Sequence, residues 1–329
     1  MTDGLQPLAG LLAQVRDLKR VRDARGSRSL AERAFGRAWA RLAAGEALVS
    51  VALSETAAAV AAVRLAGLDA RAMTANGLTD DEALAALGRA FDDAAVPLDA
   101  DLRRSLRDTI GPVHDGGPEP AFVEALVRQP RAGATAPGLP RIVLEPAESH
   151  ADHSLCTAVF GVLLAPTFGA DPGRVFLASL AHHLFNTSLP DAGYAADTLL
   201  GDALVSQMAN ASRERALAGL PDALVAAVRE ALRATHADAF ETPDARAFHA
   251  ADVLDRVLEM AWHERAARFR LADALGDDTA AGQLDICHAG FYQSLQRSVL
   301  ESAGLVPAGL WDSVPAGDGA AAPPARATR

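Results

Sequence analysis

Lysine is almost missing from this chain: Lys19 is the only one, and arginine supplies the other cations. Cysteine is nearly as scarce, with Cys156 and Cys287 both in apolar helical surroundings, so a disulfide framework and a thiolate metal site are excluded as organising devices. Aromatic residues make up only 5% of the 329 residues, although half of the chain is hydrophobic; alanine accounts for much of that half. β-Branched runs are scarce, and alanine is the strongest helix former, so the fold class expected is all-α. No apolar run approaches the roughly 20 residues that span a bilayer. The amino terminus shows no basic segment followed by an apolar core, so no signal peptide is evident and a cytoplasmic protein is expected.

The net charge of −11 argues against a nucleic-acid polymer or an anionic membrane as partner, and leaves room only for local basic pockets. Arginine in place of lysine, together with alanine excess, points to a GC-rich bacterial genome rather than to a binding function.

Helical spacing and breakers divide the chain. Residues 4–24 predict a first helix, and Ser29 caps a second that runs to about Ala44 with Phe35, Trp39 and Leu42 as a core stripe. An alanine-rich third helix covers 47–66. Thr79-Asp-Asp-Glu82 is a capping signature for a helix to about Asp93, and shorter helices follow near 99–109 and 119–129. Residues 130–147 are dense in proline and glycine and mark a boundary. Beyond it, helices are expected at 151–165, 172–185, 196–213, 221–235, 243–264 and 279–303. This predicts a helical accessory domain over 1–130, a second domain over 131–306, and a disordered low-complexity tail over 307–329.

Histidine is what the second half has in abundance. Eight of the nine histidines lie after residue 149, and two sit side by side at the end of an apolar run, Leu180-Ala-His182-His183. Burying adjacent imidazoles is costly unless both rings find partners, and a divalent metal is one such partner. The upstream stretch Glu148-Ser-His150-Ala-Asp-His153 and the later His249-Ala-Ala-Asp252 would complete a site of imidazoles and a carboxylate. Such donors suit zinc, manganese, cobalt or iron. His182 and Asn186, four apart, are expected on one helix face, as are His249, Asp252 and Arg256.

In this order the motifs resemble the HD-domain metallophosphohydrolase superfamily, most closely its deoxynucleoside 5′-monophosphatase branch. Members of that branch carry Glu-Ser-Val-Ala-Asp/Glu-His-Ser, a Leu-Leu-His-Asp pair and a late Ala-Ala-Asp. Glu148-Ser-His-Ala-Asp-His153-Ser, Leu180-Ala-His182-His183 and Ala250-Ala-Asp252 match them over roughly residues 130–265. The resemblance implies an HD-like helical bundle, with a divalent metal (Mn, Co, Zn, Mg or Fe) held by His153, His182 and Asp252. Two positions depart from the pattern. His183 replaces the name-giving aspartate and is expected as a fourth ligand, and Asn186 stands where the branch has a glutamate for proton transfer. Asparagine orients a water or substrate oxygen but exchanges no protons at neutral pH.

Asp191, in Leu-Pro-Asp-Ala-Gly193, would supply the missing carboxylate as ligand or base, or is simply a turn residue. Arg131, Arg141, Glu148 and His150 are the expected substrate contacts, with His150 on the rim. His236 and His249 would build a second metal position, or are capping and surface histidines. The resulting expectation is a metal-dependent hydrolase of a small phosphoester such as a nucleotide, acting through a metal-activated water. A di-iron oxygenase and a non-catalytic HD domain that binds a ligand or partner are the alternatives. The N-terminal half is expected to cover the site mouth, to mediate homodimerisation, or both.

Overall fold

A computed structural model describes residues 5–23, 25–112, 114–133, 144–238 and 240–268. Arg141, Cys287, the expected helix over 279–303 and the expected tail over 307–329 lie outside the described residues. Among the described residues there is no strand, only one isolated bridge between Pro130 and Ser149, and the all-α class stands. Residues 1–259 form one compact unit, inside which the expected boundary near residue 130 falls. Of the second unit, 260–329, only the last turns of the final helix are described.

The helices are α1 (Ala9–Val15), α2 (Leu30–Ala43), α3 (Leu48–Leu65), α4 (Ala70–Ala75), α5 (Asp80–Ala94), α6 (Ala100–Arg107) and α7 (Phe122–Arg128). After the irregular stretch come α8 (His150–Phe168), α9 (Pro172–Ala181), α10 (Tyr194–Leu200), α11 (Asp202–Leu217), α12 (Asp222–Ala231), α13 (Arg233–His236) and α14 (Pro243–Arg268).

The helix expected over 4–24 is broken up. A 3₁₀ turn over Arg16–Lys19 follows α1 and ends it. In a 3₁₀ turn, side chains three apart eclipse one another, so Arg16 and Lys19 point the same way, and both are buried.

The unit is built around α8. It is apolar on every side, which marks a core helix rather than an amphipathic surface one, and its residues from His150 to Ala165 are all buried. Leu155, Phe160 and Leu164 are fully enclosed, and each such side chain contributes about 1.5–3 kcal/mol on leaving water. Helices α2, α3, α7 and α9 pack around it, so elements from both sides of residue 130 share one hydrophobic core.

By length and composition, α3 and α8 could each cross a membrane, contrary to what the sequence suggested. Both instead carry buried polar groups with protein partners. In α3, Glu55 is bound by Arg37 and Arg41.

Both ends of α8 have local causes. Ser149 is the N-cap: its hydroxyl accepts from the Asp152 N–H at 3.1 Å, and the Asp152 carboxylate accepts from the Ser149 N–H at 3.2 Å. The same arrangement, Ser29 with Glu32, opens α2. The two caps are joined because the Ser29 hydroxyl donates to Asp152 Oδ1 at 2.5 Å. Burial and the neighbouring Glu32 carboxylate raise the Asp152 pKa to about 7. At its other end, α8 stops at Gly169 in the left-handed conformation, φ 66°, which costs glycine nothing.

Midway along α8, Gly161 lets α9 approach: a Cβ there would come within 2.4 Å of Val175 Cγ1. Gly161→Ala is therefore expected to destabilise the fold by about 1–3 kcal/mol, the usual range for overpacking. Val175→Ala should restore part of that loss. Urea denaturation of the two single variants and the double variant checks both statements.

Candidate metal centre

Three helices meet at one cluster of imidazoles. His150 and His153 lie in the first turns of α8, His182 and His183 follow the end of α9, and Asp252 and Asp255 project from α14. The helix expected over 172–185 ends early, at Ala181, and the chain turns into a 3₁₀ segment over Leu184–Thr187. Leaving the α-helix frees carbonyls that the histidine rings then use. His182 Nδ1 lies 2.5 Å from the Ser179 carbonyl oxygen, to which its N–H donates. His183 Nδ1 donates to Asn186 Oδ1 at 2.8 Å, and Asn186 Nδ2 donates in turn to the Leu189 carbonyl at 3.2 Å. The expected pairing of His182 and Asn186 on a helix face is thus replaced by His183 with Asn186. Buried Asn186 orients an imidazole, with both polar ends engaged by protein.

His153 is fully buried. Its Nδ1 donates to Asp255 Oδ2 at 2.6 Å. With the ring proton spent there, Nε2 carries a lone pair, and it faces Asp252 Oδ1 at 3.1 Å. Neither atom has a hydrogen-bonding partner. The Nε2 atoms of His182 and His183 are likewise buried without one.

Each of the three rings therefore uses Nδ1 to fix its tautomer and leaves Nε2 bare. Each bare buried acceptor costs about 1–3 kcal/mol, so three together need a common cause. His153, His182 and His183 each offer one ligand atom, and these lie within 4.8 Å of one another. Two donors held about 2.0–2.2 Å from one ion stand roughly 3–3.5 Å apart, which is the His153–Asp252 separation. A ring anchored through its other nitrogen is the usual support for a metal-binding imidazole. The donor set fits a divalent cation.

The electrostatics agree. Burial and the neighbouring His153 push the His182 pKa down to about 3, and burial with His182 and His150 pushes His183 well below its usual value. Both rings are neutral at pH 7, the form a ligand needs. Burial pushes the Asp252 carboxyl up, but His153, His182 and Arg256 hold it below the ordinary carboxylate range.

The other expected residues fall in three places. His150, expected on the rim, is fully buried against His183, ring centroids 4.6 Å apart, and neither of its nitrogens has a hydrogen-bonding partner. Burial and the nearby Arg131 guanidinium lower its pKa to about 3. Asp191 accepts from the Ala132 and Gly193 N–H groups and stands 3.9 Å from His150 Nε2, so it meets the cluster only through that ring. Glu148 is held by Lys19, with Arg131 Nη1 3.8 Å away. His249 Nε2 donates to the Ala237 carbonyl at 3.1 Å, and His236 is exposed; the structure brings neither to the cluster.

Sequence reasoning missed Lys19, Asp255 and Glu259. Lys19 Nζ lies 2.7 Å from the Asp255 carboxylate, contacts Glu148, and is 3.6 Å from Glu259. The available signals were a solitary lysine among arginines and an Asp255 one turn beyond Asp252.

Two expectations follow. Asn186→Ala frees the His183 ring and should weaken divalent-metal affinity about 10–100-fold, as read by competition with a chromophoric chelator. His182 in the unfolded chain protonates near pH 6.5 but in the folded metal-free protein only near 3. The unfolded state then binds more protons between those values, so stability falls as pH drops from 6.5 toward 3, by about 1.4 kcal/mol per pH unit for this ring. Urea unfolding of His182→Gln should show a correspondingly shallower pH dependence.

A family model described as HD domain matches residues 123–278. No curated protein and no solved structure matches the chain. The matched residues contain the histidines and aspartates of the cluster, so over residues 123–278 the chain is similar to the HD domain.

Proposed function

We propose that the protein is a metal-dependent phosphohydrolase of a small phosphoester such as a nucleotide, with His153, His182, His183 and Asp252 as the metal ligands. The observation that carries this reading is the set of three imidazoles, His153 buried and His182 and His183 partly so, whose Nδ1 atoms are anchored and whose Nε2 atoms are buried without a hydrogen-bonding partner. Three imidazoles and one carboxylate favour zinc, cobalt, iron or manganese over magnesium, which prefers oxygen ligands. A bound divalent cation supplies a Lewis acid for the phosphoryl group and an activated water as nucleophile.

The chain's own residues do the rest. Arg131, whose Nη1 stands 3.8 Å from Glu148, is the guanidinium that would pair with a phosphate. His150 lies buried beside His183, with Asp191 Oδ2 3.9 Å from its Nε2. Asn186 positions His183 and moves no proton. Replacing the pattern's aspartate by His183 lowers the negative charge of the ligand set by one, which makes the bound metal more electron-withdrawing.

The test is turnover of a phosphoester panel by the purified chain with Mn²⁺, Co²⁺ or Zn²⁺, beside His182→Ala. The expected result is hydrolysis by the wild type, with metal content and activity both falling at least roughly 100-fold in the variant. Metal bound without turnover of any phosphoester would replace the hydrolase reading with that of an HD domain that binds a ligand or partner.

A further inference from the structure

Next to the imidazole cluster lies a second group of ligand types. Glu148, His153 and Asp255 place one donor atom each within 4.8 Å of one another, and Glu259 is close by. By charge and spacing this is a cation position, and a cation already occupies it: the ammonium of Lys19, itself 2% exposed, contacts Glu148, Asp255 and Glu259 together. Asp255 is shared, since its Oδ2 also accepts from His153 Nδ1.

We infer that Lys19 is a built-in cation that fills the second metal position and, through Asp255, sets the tautomer of His153, so that the centre binds one metal per chain. This rests on the proposed metal centre and specifies its number of ions.

The reasoning is electrostatic. Carboxylates gathered in a buried space must be neutralised, by protons or by cations: Arg20 and Arg16 meet Glu259, and Lys19 meets Glu148 and Asp255. Lysine is a compact point charge with three donors, which suits three separate carboxylates. Arginine, used at the other cationic positions of the chain, is a larger planar fork whose donors are fixed in one plane. The solitary lysine stands between Glu148 and Asp255, with Glu259 3.6 Å away on Arg20. Its effect reaches the metal because a neutralised, oriented Asp255 accepts the His153 Nδ1 proton and turns Nε2 toward Asp252. Lys19 is thus a positioning residue, supplied by the N-terminal part of the chain to a centre whose ligands all come later.

The experiment is Co²⁺ titration of the full-length apoprotein, with bound metal measured by elemental analysis after equilibrium dialysis and the ligand field read from visible absorption. The wild type should bind one Co²⁺ per chain. Lys19→Met, which keeps the length and removes the charge, should bind a second, weaker Co²⁺ at the vacated carboxylates and show a changed spectrum, while Lys19→Arg stays at one. Asp255→Asn, which retains the lysine, should also stay at one ion and lose about 10–100-fold in affinity. That variant keeps the test open should Lys19→Met fail to fold.

Two Co²⁺ in the wild type would overturn this inference and leave the metal centre standing. An unchanged affinity and spectrum in Asp255→Asn, or one ion with wild-type affinity and spectrum in folded Lys19→Met, would overturn it as well. A wild type that takes up no metal would remove the centre itself, and this inference with it.

Discussion

The structure turns on a buried imidazole needing two partners. Each ring of His153, His182 and His183 has one, and the other nitrogen is left to face its neighbours in a space closed to water. Apolar helices do not tolerate such atoms without compensation. The ends of α8 and α9 bring the three rings together so that each is anchored through Nδ1 and keeps a buried, unpartnered Nε2. The choice of anchors follows from where the helices stop. Because α9 ends at Ala181, the Ser179 carbonyl is free for His182, and the 3₁₀ turn after it brings Asn186 under His183.

A second constraint is charge. The acids of α14 that face the cluster, Asp252 and Asp255, would repel each other and Glu148 in so buried a place without positive charge nearby. Lys19 supplies it for Asp255 and Glu148, and Arg256 approaches Asp252 at 3.3 Å. The first 130 residues are therefore integral to the candidate site. Their 3₁₀ turn delivers Lys19, and their second helix begins with a serine bonded to the capping aspartate of α8. Holding the start of α8 in this way also holds His150 and His153, one and four residues after the Ser149 cap.

Much of this was legible along the chain. Alanine excess and helical spacing pointed to helices, Ser29 and Thr79 to caps, and the three motifs to His153, His182 and Asp252 as neighbours in one stretch of the fold. His183 was legible as a candidate ligand because it directly follows His182 in the variant motif. The failures have a common form. Asn186 was read as part of a helix face that does not exist, because the end of α9 depends on which acceptors the two rings find. His150 was placed on a rim because spacing says nothing about depth. A tight 3₁₀ turn at Arg16–Lys19 was read as continuing helix, since the sequence pattern of the two is the same over four residues.

Composition and periodicity determined the helical class, the positions of most helices and the residue types able to hold a cation, since all of these follow from local propensity and from the chemistry of side chains. Tertiary structure alone decided which nitrogen of each histidine is bare, that Asp255 rather than solvent anchors His153, and that the lysine of the first segment reaches acids more than a hundred residues away. Those outcomes depend on burial and on partners distant in the chain, which no local pattern encodes.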